Sequence, residues 1–330
     1  MDLPLLSALF VTFALTLYVM LDGFDLGVGI LLLLQPAKNS RDHMVDSITP
    51  TWDGNETWVI MAAITLFAAF PAAYSILLPA LYVPVIIMLL SLGFRGVSFE
   101  FRVQTIEHRR KWDMAFAAGS LVAALMQGLI VGAVMQGVRI DGTRFSGSVL
   151  DVFKPLPLIS GVALATGYTV LGAGWLILKS NASLQHFAIR GLRVASPLFA
   201  LLFGAACIYA VNVQPGIRSA WGVHPIALAC LVGLFAVCAG MLALVPMKTV
   251  PVAPFVFGLL LFVDCLAGVA LIVFPDIVPF RVSLWEAASS SVSQQFVLIG
   301  AVCVTPVVLG YSAFAYWIFR GRTPEEGWGE

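Results

Sequence analysis

Leu21-Asp22-Gly23-Phe24-Asp25-Leu26-Gly27-Val28-Gly29 lies inside the first long apolar run of the chain. The run from about Leu3 to Leu34 carries no charge other than these two carboxylates. A charged group at the centre of a membrane helix costs roughly 2.5–3.5 kcal/mol on insertion scales. It persists there only when it is protonated, paired, or turned toward water or protein. The stretch therefore reads as part of a membrane helix with a polar task along one face.

The rest of the chain agrees. Its 330 residues are 60% hydrophobic and only 11% charged, with a mean hydropathy of +0.97. A soluble domain carries about 25% charged residues, so a water-facing fold of this composition is excluded. The formal net charge is +0, which leaves no electrostatic case for nucleic acid. The five cysteines, Cys207, Cys230, Cys238, Cys265 and Cys303, all fall in apolar stretches and read as small hydrophobes rather than a disulfide framework. The start, Met1-Asp2-Leu3-Pro4, lacks the basic region of a signal peptide, and the run after it is too long for one.

Apolar runs of about 20 residues predict nine spans. They lie near Leu5–Leu34, Thr57–Ala73, Ile76–Val97, Met114–Gly137, Leu156–Leu178, Ala195–Val213, Pro225–Val245, Pro254–Phe274 and Phe296–Phe319. The second and third should form a tight hairpin turning at Pro71-Ala72-Ala73-Tyr74. Short linkers leave no room for an appended soluble domain, so residues 1–330 read as one integral-membrane unit. Of the 18 basic residues, 13 fall at one end of these spans and 5 at the other. The positive-inside rule then puts the N-terminus outside and the C-terminus in the cytoplasm. Trp52, Trp58, Trp112, Trp175, Trp285 and Trp317 lie near span ends and read mostly as an aromatic belt.

Asp22 and Asp25 share one helix face, and Gly23 and Gly27 form a small-xxx-small pair that lets another helix approach closely. Two readings stand side by side: a buried ion pair fixing helix packing, with Arg95 as the partner, or a proton relay or ion site. Trp52-Asp53-Gly54-Asn55-Glu56-Thr57-Trp58 is the second cluster. Asp53 and Glu56 match capping-box spacing at the start of span 2, and a cap at the cytoplasmic mouth is also a place to collect protons. Before it, Met44–Ile48 reads as a short interfacial segment closed by Pro50. Lesser candidates are Glu100, Asp264 within span 8, and Glu286, which reads as a loop or cap residue.

His43, His108, His186 and His224 all fall in loops or at span ends. A bis-histidine haem needs two facing imidazoles inside a bundle, so the chain reads as binding no haem of its own and no metal. No P-loop, serine triad or metal-ligand cluster is present in the sequence.

Taken together, Asp22-Gly-Phe-Asp25-Leu-Gly-Val-Gly29 and Trp52-Asp-Gly-Asn-Glu56-Thr-Trp58 resemble subunit II of the cytochrome bd-type quinol oxidases. So do Phe94-Arg95-Gly96-Val97, Phe99-Glu100-Phe101-Arg102 and Trp285-Glu-Ala-Ala-Ser289-Ser290, and the resemblance runs essentially the whole length. The short tail looks closer to the cyanide-insensitive branch. The resemblance implies an all-α membrane fold of two four-helix bundles plus one peripheral helix, in the bacterial inner membrane. It implies a heterodimer with a subunit I that carries the quinol-binding loop, two b-type haems and one d-type haem, with room for a small accessory membrane subunit. The complex would oxidise quinol and reduce oxygen to water, taking protons from the cytoplasm. The family's proton-uptake aspartate maps onto Asp53, beside Trp52, and its span-1 acids map onto Asp22 and Asp25. On the residues alone, a secondary transporter using Asp22, Asp25 and Asp264 as its ion site is the competing reading, and a purely structural scaffold is a third.

Overall fold

The structure is a computed structural model that describes residues 2–180 and 182–323. It is built from helices, with α1 (Leu3–Leu32), α2 (Lys38–Asp46), α3 (Trp52–Ala69), α4 (Pro71–Gln104), α5 (Arg109–Gln136) and α6 (Pro155–Lys179) in the first half. The second half holds α7 (Ala182–Val213), α8 (Pro215–Val223), α9 (Pro225–Leu244), α10 (Val252–Val273), α11 (Leu284–Ala287) and α12 (Ser291–Ile318). Two small antiparallel hairpins, β1 (Ile140–Asp141) with β2 (Arg144–Phe145) and β3 (Asp276–Val278) with β4 (Val282–Ser283), cap one end.

Among the described residues, eight helices are long and apolar enough to cross a membrane. The ninth expected span is α3. It has 18 residues, and its first turn is the polar Trp52-Asp53-Gly54-Asn55-Glu56, which leaves too little apolar length to qualify with the others.

Helices α1, α3, α4 and α5 pack as one group and α6, α7, α9 and α10 as a second. Helix α6 also packs on α1 and α5 and so joins the two groups. It is the most buried of the eight, and α12, lying against α3 and α1, is the least buried. The arrangement is two four-helix bundles with one peripheral helix.

Small residues set the contact between the bundles. A methyl group at Gly27 would lie 1.8 Å from the Tyr168 carbonyl oxygen, and one at Gly172 would lie 2.3 Å from the Gly27 carbonyl carbon. The two backbones touch because neither position has a side chain. Gly23 lies against the Tyr168 ring in the same seam.

Several local expectations are corrected. The α3–α4 turn is Phe70 alone, and Pro71 is already the first helical residue of α4. Proline suits that position because its fixed φ is helical and its missing N–H would have had no partner. Asp53 does not cap α3: the N-cap is Thr51, and Asp53 sits inside the first turn. The chain enters through a hydrogen-bonded turn, with Trp52 N–H donating to Ile48 C=O at 3.1 Å, so the helix starts earlier than a cap at Asp53 would allow. Two tryptophans are not belt residues. Trp58 is fully buried, edge-on to Phe13, and Trp175 stacks on Phe24 with centroids 4.4 Å apart.

Met44–Ile48 belongs to α2 and the turn after it. Met44, Val45 and Ile48 are buried in the main core. The segment therefore folds down onto the bundle, and α3 begins below the level at which α1 ends.

Candidate functional site

Asp22 and Asp25 are the 20th and 23rd residues of the 30-residue α1, one turn apart and both fully buried. Arg95 reaches them from α4 and is itself fully buried, with its Nη2 2.5 Å from Asp22 Oδ1. The same Nη2 lies 3.6 Å from Glu56 Oε2 on α3, whose side chain keeps 23% of its surface exposed. Arg95 thus bridges an inner acid and one that reaches the surface.

Asp25 takes a different partner. Its Oδ2 accepts a hydrogen bond from Asn55 Nδ2 at 2.7 Å, and the same amide lies 3.3 Å from Leu21 C=O. Asn55 Oδ1 accepts from the Tyr316 hydroxyl at 2.9 Å, which ties α12 to α3 and α1. Deeper in the bundle, Gln127 Nε2 donates to the Tyr18 hydroxyl and Tyr168 donates to Gln127 Oε1, both at 2.7 Å. Tyr18 precedes Asp22 by one turn of α1, so the polar seam continues inward from the acids.

The seam is incompletely paired. Asp22 Oδ2, Asp25 Oδ1 and Arg95 Nε and Nη1 are buried without a hydrogen-bond partner among the described residues. Buried polar atoms are nearly always satisfied, so two carboxyl oxygens and two guanidinium N–H groups left unpaired at one place set this seam apart from an ordinary packed core. One guanidinium pairs with two carboxyl groups, Asp22 and Glu56, and the third, Asp25, is held by an amide.

Trp52 is half-buried and stacks on Phe99 at 4.8 Å, with its ring centroid 6.0 Å from the Arg95 guanidinium carbon. It forms the wall of the cluster. Asp53 is exposed, on the face of α3 that also shows Ile60, Ile64 and Phe67. Its carboxylate makes no hydrogen bond or ion pair among the described residues, and it stands one turn from Glu56. Asp264 is buried on α10 with Oδ1 unpartnered, and it does not gather with Asp22 and Asp25 into a group of three acids that could hold a metal ion among the described residues. The structure does not assemble the three-acid ion site on which the transporter reading rested. Glu100 is exposed, and Glu286 closes a capping box with Ser283.

A second polar cluster was not singled out from the sequence. Asp113 on α5 accepts from Arg102 Nε at 2.6 Å and from Arg41 Nε at 2.8 Å, and Arg102 Nη2 also pairs with Asp42. These bonds clamp α2 onto α4 and α5. Burial pushes the Asp46 carboxyl, at the end of α2, above the usual range, with Arg102 opposing the shift. Arg102 sits in one of the family-like motifs, but Arg41 and Asp113 read as ordinary loop charges. The buried amides and phenols were equally silent, apart from Gln127, a lone amide in the middle of an apolar run.

The four histidines occupy the periphery. His43 is in α2, His108 in the short turn before α5, His186 near the start of α7, and His224 between α8 and α9. All four lie at helix ends or in short connecting segments rather than in the middle of a span. No group of three or more His, Cys, Asp or Glu among the described residues could hold a metal ion.

This architecture and these motifs have relatives. The chain is 29% identical to the cytochrome bd-I ubiquinol oxidase subunit 2 of Escherichia coli (strain K12), over 98% of this chain and 94% of that protein. It is 29% identical to the cytochrome bd ubiquinol oxidase subunit 2 of Bacillus subtilis (strain 168), over 96% and 94%. Its fold matches a chain of the bd oxidase from Geobacillus thermodenitrificans with a TM-score of 0.80, over 97% and 99% of the two chains, at 15% identity. The family described as cytochrome bd terminal oxidase subunit II matches residues 3–319, and the chain belongs to that family.

Proposed function

We propose that this chain is the haem-free subunit of a quinol:oxygen oxidoreductase, and that its acid seam carries protons toward oxygen reduction in the complex. The observation that carries this reading is the bridge at Arg95, 2.5 Å from the buried Asp22 and 3.6 Å from the part-exposed Glu56. Asp53 and Glu56 collect protons at the first turn of α3. Arg95 holds the carboxyl groups of Glu56 and Asp22 within reach of each other. Asn55 orients Asp25, and Trp52 shields the guanidinium from lipid. Gly23 and Gly27 do the packing that keeps α1 against α6.

In this reading the redox chemistry belongs to a partner subunit I holding haem b and haem d, with quinol as electron donor and a small accessory membrane subunit as a further associate. The peripheral histidines support a haem-free role. The chain resides in the bacterial inner membrane with its N-terminus periplasmic and its C-terminus cytoplasmic, a reading supported by the 13 to 5 division of basic residues. The acid seam then opens toward the cytoplasm, the side from which protons for oxygen reduction are drawn. The same contacts support an assembly role.

The test uses the complex purified in mild detergent with Asp53→Asn and Glu56→Gln variants. The expected result is quinol-driven oxygen consumption lowered about tenfold, or about 1.4 kcal/mol of barrier, with the haem spectrum unchanged. Full activity in both variants removes these residues from the proton path. Loss of haem bands assigns them to assembly instead.

A further inference from the structure

Arg139, Lys154 and Arg281 line a single cavity of about 620 Å³ at the end of the molecule opposite α2. Only five of the 18 basic residues lie at that end, so three of them converge on one place. The only acid in the lining is Asp151, and it is already paired with Lys154 at 2.8 Å. Arg139 and Arg281 make no ion pair or side-chain hydrogen bond among the described residues. The cavity therefore carries an excess of two positive charges, in a volume typical of ligand sites.

Its walls are built rather than accidental. Phe280, at the tip of the β3–β4 hairpin, has φ +63°, a conformation that costs a non-glycine residue energy. That conformation sets its ring on Gly216, where a methyl group would lie 2.2 Å from Phe280 Cδ1, and it presents the next residue, Arg281, to the cavity. Beside it Gln214 Nε2 donates to Gln136 C=O at 2.7 Å and leaves no room for a side chain at Gly137, which has φ +87°. The amino-terminal end of α6 begins at Lys154–Pro155 without a side-chain cap, so its unsatisfied dipole adds to the positive field.

We propose that this cavity is a binding site for a phosphate-type oxyanion, gripped by Arg139 and Arg281 with Lys154 and the start of α6 behind them. The two sources of that chemistry are the headgroup of an anionic phospholipid and free inorganic phosphate. Guanidinium groups suit either, because their planar forks match the oxygens of a phosphate bidentately.

The test takes the whole purified complex, delipidated in neutral detergent, as wild type, as the double variant Arg139→Gln/Arg281→Gln, and as Arg144→Gln. Arg144 lies at the same end but outside the cavity and controls for net charge. Each protein is titrated with phosphatidylglycerol, with phosphatidylcholine and with inorganic phosphate, and the melting temperature and bound phosphorus are followed. The site predicts saturable stabilisation of wild type and Arg144→Gln, weakened about tenfold in the double variant. Stabilisation by phosphatidylglycerol alone identifies a lipid headgroup, and stabilisation by inorganic phosphate identifies a free-anion site. Equal responses in wild type and double variant, no response to either anion, or equal weakening by Arg144→Gln overturns the proposal. An Arg139→Lys/Arg281→Lys variant, expected to retain partial binding, separates loss of the site from loss of the fold.

Discussion

Gly27 and Gly172 bring the backbones of α1 and α6 into direct contact, leaving no room for a single methyl group on either helix. Gly27→Ala should therefore force the two bundles apart and destabilise the protein by roughly 1–3 kcal/mol. Gly93→Ala is the matched control, because nothing lies within 4 Å of that position. It should be neutral or stabilising by up to about 1 kcal/mol through helix propensity. Melting temperatures of the purified complexes decide the matter. An unperturbed Gly27→Ala protein would mean that the helices can slide without cost.

Arg95 and Asp22 are expected to be strongly coupled. Arg95→Leu leaves a fully buried carboxyl without its partner and should cost about 3–5 kcal/mol. Adding Asp22→Leu removes the stranded group and should restore much of that loss. The double-mutant cycle measures the difference directly. Additive costs would show that the two side chains stabilise the bundle independently.

The clamp at Asp113 makes a prediction about α2. Asp113→Ala removes two charge-assisted hydrogen bonds, those from Arg41 and Arg102, each worth about 1.5–3 kcal/mol. Amide exchange across Lys38–Asp46 should then accelerate at least about tenfold while exchange in α6 stays unchanged. Uniform acceleration through the molecule would instead place Asp113 in the global fold.

At the opposite end Glu286 makes the stability of α11 depend on pH. Hydrogen bonds from the Ser283 N–H and hydroxyl hold its carboxyl below the usual glutamate range. Because the folded value is depressed, its contribution to stability is present above the unfolded value and is lost as pH falls through the folded one. Amide exchange in Leu284–Ala287, corrected for its intrinsic pH dependence, should rise only in that acid window. Glu286→Gln should abolish the step, and Ser283→Ala, which removes the hydroxyl but keeps the N–H donor, should only shrink it.

How much of this could be read in advance follows from what each side chain reports. The Asp22–Asp25 pair stood out because charge inside an apolar run is expensive, and the nine spans were read as apolar runs, eight of which are long and apolar enough as helices to cross a membrane among the described residues. Helix α3 resisted boundary assignment because its first turn is polar, so the apolar run begins after the helix does. Trp58 and Trp175 read as belt residues because sequence position reports closeness to a span end but not which way a ring turns. Tyr18, Tyr168 and Tyr316 were invisible because hydrogen bonds between distant helices leave no periodic trace, and Gln127 showed only as a lone amide in an apolar run, with no hint of its partners. Asp53 and Glu56 illustrate the limit most clearly. They are neighbours in sequence with the same charge, yet one shows its carboxylate at the surface and the other reaches Arg95.

The low starting point of α3 has an electrical consequence. Asp25 lies deep along α1, but Asn55, its hydrogen-bond partner, is only the fourth residue of α3, two residues beyond Asp53. A proton passed from Asp53 to the Asp25–Asn55 pair therefore advances only about 3 Å along the helix axis, or about a tenth of a 30 Å hydrocarbon core. Moving one charge through the full potential is worth about 2.3 kcal/mol per 100 mV, so this step feels only about 0.2 kcal/mol of it. On the proposed path such a transfer would run sideways across the field, and its rate should be nearly indifferent to membrane voltage.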